Sequence, residues 1–243
     1  MPWVLRMAWR DSRGFRRRLL LYTSAIAIGI AALTSLRGLS RAMEEGVAQQ
    51  ASELLGADME VDSDRPFSAL AEALFDSLGG RQSRMVETFS MVLLPKSGGT
   101  RLSEVRAIEG GWPFYGELRT DPPAAAQSFR DGREALVDNG ILLQYGVDVG
   151  DSIKVGRVTF RIAGRLLGIP GETAVRTDVR PPVLIPYGYL ERTELVQYGS
   201  RVESKALFRF DDGRDVEGLA EMVEGRLRAS DANIDADTAA DRQ

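Results

Sequence analysis

Cysteine and histidine are both absent from the 243 residues. Without cysteine no disulfide can staple a domain, and no thiolate is available as nucleophile or metal ligand. Without histidine the commonest general base, the commonest zinc ligand and every Ser-His-Asp arrangement are gone. No G-x-x-x-x-G-K-[ST] run occurs, so the chain does not itself hold ATP through a P-loop. Enzyme chemistry would have to run on carboxylates, lysine or tyrosine alone. The sequence accordingly assigns no catalytic residue, no cofactor-binding residue and no metal ligand, and it implies no cofactor.

Charge is missing from one long stretch, Leu19–Leu36 (LLLYTSAIAIGIAALTSL), which Arg16, Arg17 and Arg18 close on one side and Arg37 on the other. As a helix its 18 residues would rise roughly 27 Å, close to the ~30 Å hydrocarbon thickness of a bilayer. Arg37 can snorkel, which extends the predicted span to 19–39. A cleaved signal peptide has the same order of basic and apolar regions. Its apolar region is shorter, however, and the only A-x-A triplet in the first sixty residues, Ala25-Ile26-Ala27, lies inside the run. The reading is an uncleaved transmembrane helix. Its small residues, Gly29, Ala25, Ala31, Ala32, Thr23 and Ser24 among them, suit close packing against other spans.

Six of the 31 basic residues and one of the 35 acidic ones precede this stretch, which leaves 25 basic against 34 acidic residues beyond it. Basic flanks stay cytoplasmic, so the N-terminus is expected inside and the rest outside. An acidic outer part excludes nucleic acid as a partner, because phosphates would repel it. Residues 1–18 mix Trp3, Leu5, Trp9 and Phe15 with arginines. They read either as a helix lying along the cytoplasmic interface or as a plain basic flank.

Residues 40–56 follow as an amphipathic helical stalk, with Met43, Val47, Ala51 and Leu54 at helical spacing and Gly56 closing it. Residues 57–229 then read as one mixed α/β domain, and 230–243 as a polar tail with no closing element. In Ala57–Asp64 the carboxylates Asp58, Glu60, Asp62 and Asp64 alternate on one face of a strand. They do not match the calcium-loop pattern and are expected to form a wet acidic face. Phe67–Leu78 is a helix turning Leu70, Leu74, Phe75 and Leu78 inward. Arg84–Pro95 and Arg101–Glu109 form a hairpin around Lys96-Ser97-Gly98-Gly99. Trp112-Pro113-Phe114-Tyr115 reads as a core plug under a loop, with a ligand-facing patch as the alternative. Pro122-Pro123 with Ala124–Ala126 reads as a mobile loop.

Further along, Glu134–Asp138 is a strand and Asn139–Tyr145 a helix ended by Gly146. Ser152–Val155 and Val158–Leu167 are strands of a small half-open barrel. Residues 168–180 are a surface loop, and Pro181–Pro186 is an edge strand or strand start. Tyr187–Leu195 is helical and Val202–Phe210 a strand. Arg214–Arg228 is an amphipathic helix with Val216, Leu219, Met222, Val223 and Leu227 inward.

This order, ending in GDSIKVGRVTFRIAG at 150–164, resembles the first part of ABC transporter permeases of the FtsX/MacB type. The YbbP-like branch is nearer still, on Leu54–Pro66 (LLGADMEVDSDRP), Gly116–Arg119 (GELR), Pro182–Pro186 (PVLIP) and Leu195–Val202 (LVQYGSRV). The resemblance implies an α+β fold: a single N-terminal transmembrane helix followed by a mixed α/β extracytoplasmic domain of the MacB periplasmic-core type. It implies a non-catalytic permease subunit in the bacterial inner membrane, driven by a cytoplasmic LolD-like ABC ATPase dimer. Such a subunit works by mechanotransmission on lipids, lipoproteins or other hydrophobic molecules. Implied partners are that ATPase and membrane lipid, with a periplasmic esterase or lipoprotein as a further candidate. Permeases of this kind carry more transmembrane helices after the outer domain, so the 243 residues read as a fragment. The competing reading is a single-span anchored binding or scaffold protein.

Overall fold

The computed structural model describes residues 20–35, 37–38, 55–172, 180–197, 199–228 and 234–238. The chain divides into two compact units, Met1–Val47 and Ala48–Gln243. In the first, residues 20–35 and 37–38 are helical and every side chain described there is exposed. Among the described residues no helix is long and apolar enough to cross a membrane. The unbroken run 20–35 would rise roughly 24 Å. The ends of the 19–39 span, the basic segment 1–18 and the stalk 40–54 lie wholly or largely outside the described residues.

The second unit is built on one sheet. Its central hairpin pairs β2 (Arg81–Leu94) with β3 (Gly99–Gly110) over twelve register positions, from Ser83–Gly110 to Leu94–Gly99. The turn between them is closed by the Gly98 N–H donating to the Leu94 carbonyl at 2.8 Å. To one side lies β9 (Val202–Arg209), then β1 (Met59–Ser63), then β10 (Ile234–Thr238), all antiparallel. To the other side β8 (Pro182–Pro186) runs parallel to β3, followed by β5 (Glu134–Asp138), β7 (Val158–Gly168) and the three-residue β4 (Arg119–Asp121). The short strand β6 (Ser152–Val155) pairs with both β7 and β2. It thereby closes β2, β3, β8, β5, β7 and β6 into a ring, where the sequence suggested only a half-open barrel.

The ring is filled by alternate side chains of its own strands, including Val92, Val105, Ile153, Phe160, Ile162, Val183 and Ile185. The open half of the sheet is covered by α1 (Ala69–Leu78) and the later α5 (Val216–Arg228), whose Phe75, Val223 and Leu227 pack on Met59, Val61 and Phe208. Ser68 caps α1, its Oγ accepting from the Ala71 N–H at 3.2 Å. Between β4 and β7 the chain adds α2 (Ala125–Ser128), a 3-10 turn (Phe129–Asp131), and α3 (Asn139–Tyr145). A 3-10 turn (Tyr187–Tyr189) leads into α4 (Leu190–Thr193) after β8.

Several expectations change. Leu70 is 61% exposed, and Ala71 takes the inward place expected of it. Pro182–Pro186 lies in the middle of the sheet with all five residues buried. Its prolines stand at the two ends, where a missing N–H disturbs the ladder least. Ala124–Ala126 is no loose loop: Ala125 begins α2, and it is buried together with Phe129. The tail does carry a closing element, because Ile234–Thr238 is β10, paired residue for residue with β1. That pairing makes β1 internal. On the expected acidic face Glu60 is buried, Asp62 half-buried and Asp64 exposed, so that face is only partly wet.

Candidate functional site

The chain enters the α/β domain through Leu55-Gly56-Ala57-Asp58. Leu55 and Ala57 are 4% and 0% exposed. They sit in the core that also holds Trp112, Phe129, Leu136, Leu166 and Leu207. Gly56 has φ +70°, and a Cβ there would lie 2.8 Å from Trp112 Nε1. Only glycine meets both conditions without strain. Its carbonyl accepts from the Phe114 N–H at 2.8 Å.

Asp58 completes the grip. Its N–H donates to the Phe208 carbonyl at 2.9 Å. Its Oδ2 accepts from the Phe210 N–H at 2.8 Å, and its Oδ1 from the Tyr115 hydroxyl at 2.6 Å. Burial, and then the hydrogen bond to Asp58, push the Tyr115 phenol up to about 12, so it remains a donor. Arg209 lies 4.7 Å above the Tyr115 ring and donates to the Phe114 carbonyl at 2.9 Å. Arg130 donates to the Trp112 carbonyl. One short segment is thus tied at once to β9 and to the 112–115 loop, which itself belongs to the packing of the ring. Nothing in this arrangement is chemically reactive. It holds the segment in place from two sides.

A second constellation crosses the sheet nearby in sequence. Arg106, 5% exposed, meets Glu104 at 2.8 Å through Nε, Glu87 at 3.3 Å, and Glu172. Lys205 meets Glu60 at 3.0 Å, Glu203 at 2.9 Å and Glu87 at 3.8 Å. Glu87 therefore bridges the two cations, and the network joins β1, β9, β2 and β3 to the segment after β7. Burial opposes the charge of Arg106, but Glu87, Glu172 and Glu104 outweigh it and raise its pKa. Burial above all raises Glu87. Asp62, beside Glu60, is raised from 3.8 to about 6, first by burial and then by the Glu60 charge.

Because the folded-state value is the higher one, the Asp62 contribution falls as pH rises from about 4 to 6, and its cost is fully present above 6. Asp62→Asn should therefore raise stability at pH 7.5 by about 1 kcal/mol, allowing for partial solvent contact, and give almost no gain at pH 4. Urea midpoints at the two pH values check this. An equal gain at both would mean that the carboxylate charge is not responsible.

The four carboxylates that the sequence places on one face thus serve different ends. Asp58 is in the grip, Glu60 pairs with Lys205, Asp62 lies beside it, and Asp64 is exposed. Among the described residues no group of three or more His, Cys, Asp or Glu is placed to hold a metal ion. Trp112 is 5% exposed and plugs the core, as expected. Sequence reasoning missed Arg106 and Lys205. The available signal was a charge inside an otherwise β-like run, as in Glu104-Val105-Arg106-Ala107-Ile108.

Comparison with known proteins gives the chain a family. The sequence model of the MacB-like periplasmic core domain matches residues 19–226. An uncharacterized ABC transporter permease of Escherichia coli (strain K12), YbbP, is 26% identical over 200 residues, 82% of this chain but 24% of its own length. The chain thus spans about a quarter of that relative. The periplasmic region of MacB from Actinobacillus actinomycetemcomitans aligns over 77% of this chain and 92% of its own, at 13% identity and a TM-score of 0.48. The extracellular domain of the noncanonic ABC-type transporter YknZ from Gram-positive bacteria aligns over 74% and 100%, at 9% identity and a TM-score of 0.46. With its family model matched over most of its length, the chain belongs to the MacB-like periplasmic core domain family, of the MacB/FtsX type of ABC transporter permease.

Proposed function

We propose that the chain is part of a permease subunit working by mechanotransmission. Residues 19–39 cross the inner membrane with the N-terminus inside. Residues 40–56 rise from it as a helical stalk, and the α/β domain stands on the outer side. A separate cytoplasmic LolD-like ATPase dimer supplies the energy, and the moving domain acts on lipids, lipoproteins or other hydrophobic molecules. The observation that carries this reading is the grip on Leu55–Asp58. A stalk can deliver motion only to a domain that holds its end on several sides. The exposed apolar side chains of the first helix, Leu20, Leu21, Tyr22, Ile26, Ile28, Ile30 and Leu33, support a lipid or helix contact there.

The test is a break in the stalk. Proline in a helix interior removes a hydrogen bond and clashes with the preceding turn, at a cost of roughly 3 kcal/mol. Val47→Pro should uncouple ATP hydrolysis from function in the intact complex while membrane insertion and ATPase association persist. Arg37→Ala, a change at an interfacial anchor, should be mild. Full complementation of a deletion strain by stably expressed Val47→Pro protein would favour a passive anchor instead.

A further inference from the structure

A cleft of about 510 Å³ opens between the 111–120 segment and α2 with the turn that follows it. Pro113, Pro123 and Ala126 stand on its apolar side, and its charged groups are Arg119, Arg130 and Glu117. Arg130 is half-buried and fixed in place. Its Nη1 donates to the Ala126 carbonyl at 2.7 Å and its Nη2 to the Trp112 carbonyl. Its guanidinium lies over the Phe129 ring, 4.7 Å from the centroid. Among the described residues it meets no carboxylate. Arg84, Arg106, Arg165 and Arg209 are also partly or wholly buried, and each has one. Burial lowers the Arg130 pKa, and the Asp131 charge offsets this only in part. Cations withdrawn from water are normally paired, so an unpaired one at an open cleft points to an anion from outside.

Arg119 supplies a second positive charge. Its guanidinium lies across Gly168, where a Cβ would stand 2.6 Å from Nη2, and that nitrogen donates to the Leu167 carbonyl at 3.4 Å. It too meets no carboxylate among the described residues. Glu117 opposes the two arginines, but it is exposed to water and pairs with neither. The Arg130 Nε is covered by protein, while each Nη keeps one further hydrogen to donate. A carboxylate has two oxygens, which one guanidinium fork already saturates; two forks suit a group with more oxygens, such as phosphate. We propose that this cleft binds a phosphate group, free or as the head group of a lipid, between Arg130 and Arg119. An ester chain would lie against Pro113, Pro123 and Ala126. The site goes beyond the mechanical reading of the stalk and does not require an ATPase.

The cleft carries its own reporter, because Trp112 lines it and the other tryptophans are Trp3 and Trp9. The full chain with Trp3→Phe and Trp9→Phe, solubilised in a nonionic detergent, would be titrated by Trp112 fluorescence. The probes are inorganic phosphate, glycerol 3-phosphate and dihexanoylphosphatidylglycerol, with glycerol and choline chloride at matched ionic strength as controls. The expected result is a saturable response to the phosphate compounds and none to the controls. A lipid that saturates at least about tenfold below glycerol 3-phosphate assigns the head-group source, and equal binding a free phosphate; both support the site. Arg130→Gln and Arg119→Gln should each weaken phosphate about tenfold or more, the size of a hydrogen bond between charged groups. Glu117→Gln should strengthen it about twofold by removing the opposing charge, and Arg226→Gln, exposed on α5, should leave it unchanged. Arg119→Gln, at an exposed side chain, covers the case in which Arg130→Gln fails to fold, judged by its melting curve. A response that does not saturate, that the controls reproduce, that Glu117→Gln or Arg226→Gln weakens, or that survives both cleft arginine substitutions would overturn the site. Because no ATPase takes part, such a failure would leave the transport reading standing.

Discussion

Asp58→Ala should loosen the domain from its entry segment and, under the function proposed above, stop transport-linked function while the protein still inserts and the proposed ATPase still binds. The alanine leaves the Phe210 N–H and the Tyr115 hydroxyl without the acceptor that they now meet at 2.8 and 2.6 Å. Each bond to a charged acceptor contributes on the order of 1.5–3 kcal/mol, and part of the vacated space is open to water, so the expected loss is about 3 kcal/mol. Tyr115→Phe removes one of the two bonds and leaves the Phe210 contact intact. Its expected cost is about 1.5 kcal/mol. The pair is to be read by urea unfolding and by complementation together. If Asp58→Ala costs no more than Tyr115→Phe, the carboxylate is not the double acceptor described here.

The other large effect belongs to Arg106. Arg106→Met fills much the same volume but leaves Glu87, Glu104 and Glu172 facing one another around a neutral side chain. Removing one partner of a buried ion network costs about 3–5 kcal/mol, because the remaining charges stay uncompensated. The sign of the pH response follows. Burial already raises Glu87 and the Arg106 charge holds it down, so without the guanidinium its folded-state value rises further and the variant loses stability as pH rises through it. The gap between variant and parent should be widest near pH 7.5 and narrow toward pH 5. Urea midpoints across that range measure it. A gap independent of pH would assign the loss to packing alone.

Much of this fold was legible because local chemistry and tertiary pairing agree. The hairpin between Arg81 and Gly110 reads directly from two alternating runs around a Gly-containing turn. Asn139–Tyr145 reads from Asp138 before it and the left-handed Gly146 after it. The misreadings share a cause: the partner that decided them lies far away in sequence. Glu60 and Asp62 look like a fully wet face, but β10 arrives on the outer side and Lys205 supplies a counter-charge, which buries Glu60 and half-buries Asp62. Ile234–Thr238 has too few apolar residues to announce a strand, and it is held by backbone pairing to β1. Pro182–Pro186 looks like an edge because proline cannot donate, yet its central Val183, Leu184 and Ile185 carry the strand through the core.

The grip on the entry segment was legible only in pieces. Gly56 is recognisable as a helix-ending glycine, and Trp112 as a core plug. That Trp112 occupies the space beside Gly56, and that Tyr115 reaches Asp58, are contacts across more than fifty residues which no local pattern contains. The network at Arg106 is of the same kind. It draws its carboxylates from β2, from β3 and from the segment after β7.

Affinity isolation of the protein from detergent-solubilised membranes tests the central claim most directly. The account predicts that a cytoplasmic ABC ATPase co-purifies as a stable stoichiometric partner, through contacts that survive Asp58→Ala and Val47→Pro. Recovery of the protein with no ATPase, under conditions where its membrane insertion is intact, would contradict it.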